Sequence, residues 1–234
     1  MLKISDKLKH PFKGFCSSPE VIMLFVYMKC RFSLSYRDLE EIMVIRGSQI
    51  DHSTLQRWVK RFTFLIDKQV RKRKRTVNSS WRMDETYIKI NGKWSYLYRA
   101  VDKYGDTIDF FLRARRDGAA AKAFFKKAFK NNDMPKKITV DKSGSNKCAL
   151  DYFNEKLEEE AQFEIRQIKY LNNIVEQDHR FIKKRTRPML GFKNFHSAKA
   201  TIIGIENIRM IQKGQITGQT KNQNSFHNFV NLMA

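Results

Sequence analysis

Apolar side chains recur every three to four residues through most of the first seventy positions, the period of helices with one buried face. Residues 19–32, PEVIMLFVYMKCRF, are apolar enough for a core helix, and Pro19 is tolerated near its start. Ser35 can cap a second helix, YRDLEEIMVIRG, which Gly47 ends. Ser53 can cap a third, TLQRWVKRFTFLI, whose Leu55, Trp58, Val59 and Phe62 form the buried stripe. Gln56, Arg57, Lys60 and Arg61 then face outward, and two short helices joined by a tight glycine-containing connection fit a helix-turn-helix.

From Trp81 the period falls to two. WRMDETYIKI, KWSYLYRAVD and DTIDFFLRAR are strand-like runs rich in aromatic and β-branched residues. Asn91-Gly92 is a hairpin signal between the first two, and DKYGD turns between the second and third. Then come a helix over 118–130, the strand KITV over 137–140, a helix through 149–160 and a strand near FEIRQI. Next, Leu171, Ile174, Val175 and Ile182 stripe a helix, and a last helix lies around 195–212. Three antiparallel strands followed by alternating helix and strand give an α+β fold: a mixed five-stranded sheet flanked by helices, as in the RNase H architecture.

Composition adds the partner. Forty-six Lys and Arg against 24 Asp and Glu leave a net charge of +22, which points to a polyanion and first to nucleic acid. Residues 1–76 hold 17 basic and 7 acidic residues (+10), so residues 77–234 hold 46 − 17 = 29 and 24 − 7 = 17 (+12). The excess is therefore no single tail, and both halves are expected to touch the polyanion. Within it RKRKR, comprising Arg71, Lys72, Arg73, Lys74 and Arg75, reads as a solvated linker or a phosphate-contacting hinge. No apolar run approaches the roughly 20 residues of a membrane span, so no membrane partner is expected. Three cysteines without a CxxC pair read as reduced thiols in a cytoplasmic protein, with a zinc site disfavoured.

Against this background the acidic residues need reasons. Asp84 interrupts the first strand, where strand propensity disfavours it, on the face it shares with Thr86, Ile88 and Ile90. Asp141 directly follows ITV, and SGSN after it turns the chain toward a helix. Glu176 lies on the helix NNIVEQDHRFIKKR, with His179, Arg180 and Lys183 on the same face at i+3, i+4 and i+7. Each acid has an ordinary reading: Asp141 as a helix cap, Asp84 as an edge residue, Glu176 as a partner of Arg180. Together at one sheet edge they would repel one another unless a cation neutralised them. Hard oxygen ligands suit Mg²⁺ and also accept Mn²⁺. Two such ions about 3.5–4 Å apart can activate a nucleophile and stabilise a leaving oxygen at a phosphodiester. Glu85 points to the opposite face from Asp84 by alternation and competes less well, and Asp178 falls on the apolar side of its helix as a buried partner.

The set MDETYIKINGKWSYLYRAVD, TVDKSGSN and NNIVEQDHRFIKKR closely resembles the DDE transposases of bacterial insertion sequences. Among these it is similar to the insertion-sequence-six family, with its staphylococcal members, from LSYRDLEEIMVIRG to GIENIRMIQKGQ. The resemblance implies that Asp84, Asp141 and Glu176 are catalytic and bind two Mg²⁺ or Mn²⁺ ions, and that Lys183 is the basic residue seven places after the glutamate. It implies that His179, Arg180 and Lys183 lie along the DNA end, His179 bonded to a phosphate or an acidic neighbour. It further implies a helix-turn-helix domain over 1–70 binding terminal inverted repeats, a basic linker over 71–80, an RNase H-like catalytic domain over 81–215 and a tail over 216–234. Such an enzyme nicks the 3′ ends of its element with metal-activated water, joins them to double-stranded target DNA by transesterification and leaves replicative cointegrates. Two ends held together imply a homodimer or larger assembly in a bacterial cytoplasm, at the nucleoid. A metal-dependent nuclease that never joins, and a helix-turn-helix regulator whose second domain only dimerises, are the rival readings.

Overall fold

A computed structural model describes residues 2–142, 144–168, 173–189, 191–219 and 224–234. Leu171 of the expected helical stripe and Ser143 of SGSN lie outside the described residues. The chain divides into two compact units, Met1–Arg75 with Lys184–Ala234, and Thr76–Lys183.

In the Thr76–Lys183 unit, β1 (Ser80–Ile90), β2 (Lys93–Asp102) and β3 (Thr107–Arg113) form an antiparallel meander. Asn91 and Gly92 both adopt positive φ, 48° and 74°, as a two-residue primed turn requires. The chain then crosses through α5 (Gly118–Asn131) to β4 (Lys137–Val140), which lies parallel to β1, and through α6 (Gly144–Asn154) to β5 (Glu164–Gln167), parallel to β4. The sheet order β3-β2-β1-β4-β5 is that of the RNase H-like fold expected from the sequence. One face of the sheet packs Trp81, Met83, Tyr98, Ile138 and Val140 against Phe124, Phe125 and Leu150 of α5 and α6. Burying each of these larger side chains contributes about 1.5–3 kcal/mol. Asp117 caps α5 by accepting from the Ala120 amide at 2.7 Å. The buried Asp102 carboxylate accepts backbone N–H bonds from Asn78, Tyr104 and Asp106, which fastens the entry to β1 onto the β2–β3 turn.

The other unit is helical: α1 (Asp6–Lys9), α2 (Pro19–Arg31), α3 (Tyr36–Ile45) and α4 (His52–Arg73). Ser35 caps α3 as expected, and Asp38 returns the bond to the Ser35 amide, completing a capping box. The cap of α4 is Asp51, two residues before the expected Ser53, because a carboxylate accepting at 2.7 Å also suits the positive end of the helix dipole. Leu55, Trp58, Val59, Phe62, Ile66 and Val70 make the buried stripe of α4.

Three boundaries differ from the sequence reading. The basic run is not a linker: α4 continues through Arg73, Arg71 pairs with Asp67 at 2.9 Å, and Lys74 forms a β-bridge with Ile216. The Arg75 amide also donates to the Gln215 carbonyl at 2.8 Å. Helix α8 (Phe195–Gln212), expected with the catalytic half, packs on α2 and α4, where Ile205, Ile208 and Met210 are buried. The expected tail instead contains α9 (Ser225–Met233), whose Phe226 and Phe229 rings lie 5.1 and 4.9 Å from Tyr27. The division between the units falls within α7 (Asn173–Thr186), after Lys183.

Gly204 lies where α2, α4 and α8 meet. A Cβ there would overlap Cys30 Sγ and stand 2.8 Å from Thr63 Cγ2. Gly204→Ala is accordingly expected to destabilise the chain by about 1–3 kcal/mol despite the better helix propensity of alanine. A thermal melt followed by circular dichroism should show Tm lowered by roughly 2–10 °C. An unchanged or raised Tm would mean that the helices have room.

Candidate active site

Parallel pairing of β1 with β4 matches Arg82 to Thr139. Two residues further along each strand stand Asp84 and Asp141, so the register itself brings these acids side by side where β4 ends. Asp84, Glu85 and Asp141 each present a carboxylate oxygen, all three within 4.8 Å of one another. The buried Asn146, in the first turn of α6, donates through Nδ2 to Glu85 Oε1 at 3.0 Å and Asp141 Oδ1 at 3.2 Å. Arg116 Nη2 spans the same two residues, 3.4 Å from Glu85 Oε2 and 3.2 Å from Asp141 Oδ2.

The opposite face of β1 is held by α7. Arg99 pairs directly with Asp84 across the β1–β2 ladder, and its Nη2 reaches Asp178 Oδ2 of α7 at 2.6 Å, both side chains buried. His179, the next residue of α7, places Nδ1 3.7 Å from Asp84 Oδ2. One helical turn earlier, Glu176 is exposed, and its charge is among those that raise the Asp84 pKa.

Burial, followed by the charges of Glu85, Asp141 and Glu176, pushes the Asp84 carboxyl up to about 7. Burial also raises Glu85, partly offset by Asn146 and Arg116. Burial, together with the cations Arg99 and Lys183, drives His179 down to about 3, so its imidazole is neutral.

The structure therefore brings Asp84 and Asp141 together; Glu176 stands outside the group of three carboxylates, and its charge is felt at Asp84. It also corrects one reading. Glu85, which strand alternation sends to the other face of β1 from Asp84, belongs to the cluster, linked to Asp141 through Asn146 and Arg116. Of the two partners expected for His179, a phosphate or an acidic neighbour, the structure sets it against the acidic Asp84, buried and neutral; Arg180 is exposed and Lys183 half-buried. Arg116 and Asn146 were missed altogether. The adjacent pair Asp84-Glu85 was the one local signal available for so dense an acidic site.

In the helical unit, Arg57 is exposed and bonds to Thr54 Oγ1 at 2.8 Å. Arg61 donates to the Pro11 carbonyl at 3.1 Å and lies 5.0 Å over the Phe15 ring. Gln56 and Lys60 line a half-open cleft of about 740 Å³ together with Tyr36 and Lys193.

An all-carboxylate donor set held in a partly buried cluster is the arrangement a hard divalent cation fits, since the cation relieves the mutual repulsion that raises the Asp84 pKa. Asp84, Glu85 and Asp141 are the groups placed to hold such an ion. The other acidic group among the described residues, Glu40, Asp51 and His52, is a surface group whose Asp51 already serves as the α4 cap.

A family model described as "DDE domain" matches residues 78–215, and one described as "Transposase IS66 family" matches residues 14–135. The chain is 40% identical over 195 residues to the transposase for insertion sequence-like element IS431mec of Staphylococcus aureus, covering 83% of this chain and 85% of that one. It has the same identity and coverage with the transposase for insertion sequence element IS257 in transposon Tn4003 of Staphylococcus aureus. Among solved structures, the catalytic core domain of HTLV-2 integrase in complex with magnesium is similar with a TM-score of 0.47 and 14% identity, over 64% of this chain and 95% of that one.

Two outcomes are expected from this geometry. Because the Asp84 pKa is raised from 3.8 to about 7, its contribution to stability is present at low pH and is lost as pH rises through 7 in cation-free protein. A cation competes with that proton, so the rise in Tm produced by Mg²⁺ or Mn²⁺ should grow from about pH 6 to about pH 8, by up to tenfold in apparent affinity per pH unit. Asp84→Asn should flatten this dependence, and a stabilisation independent of pH would contradict it. Separately, Asp178→Asn leaves the Arg99 charge buried without its carboxylate, which should cost about 3–5 kcal/mol. Urea unfolding of the variant measures this, and an unchanged midpoint would show that the pair does not hold α7.

Proposed function

The chain belongs to the DDE transposases of insertion sequences, enzymes that cut and join DNA, and on that premise we propose that it acts on the inverted-repeat ends of its own element. The observation that carries this reading is the gathering of Asp84, Glu85 and Asp141 at the end of β4, where the charge of Glu176 on α7 is also felt. When bound there, two Mg²⁺ or Mn²⁺ ions would neutralise these acids, activate the attacking oxygen and stabilise the leaving one.

Two displacements follow at one site. In the first, a water oxygen attacks phosphorus at the element end; the bond from phosphorus to the 3′ oxygen breaks, and that oxygen leaves as a free 3′-hydroxyl. In the second, this hydroxyl attacks a target phosphodiester: one phosphorus–oxygen bond forms, one breaks, and a target 3′-hydroxyl departs. The bond count is unchanged, so joining needs no external energy source. Both ends joined in this way give replicative cointegrates.

Within this scheme the exposed Arg180 and the half-buried Lys183 hold phosphates of the DNA end, which Coulomb attraction favours in a chain of net charge +22. His179, neutral and buried, orients Asp84 from below. Arg116 screens Glu85 and Asp141 from each other. Gln56, Arg57, Lys60 and Arg61 on α4 read or grip the inverted repeat, in a helix-turn-helix built from α3 and α4. Arg71, Lys72, Arg73, Lys74 and Arg75 add phosphate contacts at the end of α4. A homodimer or larger assembly holds the two ends together.

The test is strand joining by purified protein on a labelled, pre-cut element end with Mg²⁺. Asp84→Asn, Asp141→Asn and Glu176→Gln should each lower joining on the order of 10³-fold or more while leaving end binding intact. Joining at wild-type rates in these variants would remove the chemistry from the carboxylates. Cutting without any joining by the wild type would make the protein a nuclease.

A further inference from the structure

The face of the sheet that carries Glu85 continues outward along the β1–β2 hairpin. There the register sets Tyr98, Tyr96 and Trp94 of β2 opposite Glu85, Tyr87 and Lys89 of β1. Tyr98 is buried and stacks on Phe124 of α5 at 5.9 Å between ring centroids. Beyond it the helical cover stops: Tyr87 is 51% exposed and Trp94 59%. The Tyr87 ring lies 5.4 Å from Tyr96 and 6.1 Å, edge-on, from Trp94. Lys89 Nζ stands 6.0 Å over the Trp94 ring, and Arg113 of β3 pairs with Tyr96 on the same face.

Local structure does not require these rings to be open to solvent. The Asn91-Gly92 turn already specifies the hairpin, and cross-strand pairing still leaves about half of Tyr87 and Trp94 open to solvent. Aromatic faces interleaved with lysine and arginine are the composition that binds unpaired nucleic acid, since every base has a π-face and every nucleotide a phosphate. The strip starts at a cluster residue and runs four residues from Glu85 to Lys89, about 13 Å. That length holds a few bases at about 3.4 Å each. A strand whose end is cut and passed to another duplex loses pairing partners near the break, and its bases need a surface as apolar as the stack they leave.

We propose that the Tyr87–Trp94–Tyr96 strip binds single-stranded DNA beside the carboxylate cluster, an inference that rests on the transposase reading of that cluster. The protein carries its own reporter. Of its three tryptophans, Trp58 and Trp81 are 2% and 1% exposed, so quenching from solvent reads Trp94.

The experiment titrates the full chain with a labelled oligothymidylate, following anisotropy of the label together with tryptophan emission and its quenching by acrylamide. Binding should quench Trp94 and shield it from acrylamide. Trp94→Ala and Tyr87→Ala should weaken oligothymidylate binding about five- to hundredfold, Trp94→Phe should restore most of it, and Asp84→Asn should leave it intact. The proposal is overturned if the oligothymidylate fails to bind, if it binds without moving Trp94 emission, or if the alanine variants bind as tightly as the wild type. Equal quenching by a duplex would overturn the single-strand assignment. Emission that changes with protein concentration alone would make the strip an interface between copies. Quenching intact in a wild-type chain that neither cuts nor joins would sink the catalytic reading and leave the strip standing; joining intact with Trp94 unmoved would do the reverse.

Discussion

The buried ion pair between Arg99 and Asp178 is the contact on which the candidate site turns. Two charges removed from water cost several kcal/mol each, and only a short, well-aligned bond between them offsets that loss. At 2.6 Å the bond ties the middle of α7 to the strand beside β1. Helical geometry then sets the rest: His179 follows at once and lies beneath Asp84, while Glu176 falls on the turn before, toward the other acids. Arg99 serves the cluster twice, because it stands opposite Asp84 in the sheet and its charge helps keep His179 neutral. Replacing the pair with apolar residues could hold α7 equally well, but it would remove a cation that, after burial, helps keep the imidazole neutral against Asp84.

The second constraint is that acids gather within a strongly basic chain. Two forces oppose the cluster, burial and like-charge repulsion, and both appear in the raised Asp84 pKa. Arg116 and Asn146 answer them on the α6 face, each bridging Glu85 and Asp141. The sheet supplies the rest without side-chain help, since parallel pairing aligns Asp84 and Asp141 by register alone. A divalent cation and a guanidinium are alternative neutralisers of the same oxygens. The fold thus holds the acids at a separation that favours arrival of positive charge.

Much of this was legible in the order of residues. Strand period, the Asn-Gly turn and the apolar KITV segment mark β1, β2 and β4, and an aspartate inside or directly after a strand stands out against propensity. What escaped the reading was long-range. Glu85 was set aside by alternation, which separates it from Asp84 on β1 but says nothing of Asp141, a residue just past β4 that Asn146 and Arg116 tie to Glu85. His179 was expected against a phosphate or an acidic neighbour, and sequence alone could not choose; its burial against Asp84 goes with Arg99, eighty positions earlier in the chain, pairing with the adjacent Asp178. Asn146 and Arg116 carry no local signal at all, being an ordinary loop residue and an ordinary basic one until the fold brings them to the acids.

The same limit explains the domain boundaries. A basic run reads as a linker when its partners are unknown, yet Arg73 to Arg75 pair with residues 215–217 near the other end of the chain. The helical unit is therefore discontinuous in sequence: α4 buries its stripe partly against α8 and α9, made after the whole catalytic unit. Residues 1–70 alone would leave the Thr63 and Asp67 side of α4 without the surface that α8 provides, exposing apolar area that contributes about 25 cal/mol per Å² when buried. Folding of the helical unit must then wait for contacts of high sequence separation, which slows it relative to a local three-helix bundle. Because residues 184–234 complete the unit begun by residues 1–75, α4 cannot be fully covered before the chain that bears the carboxylates has been made.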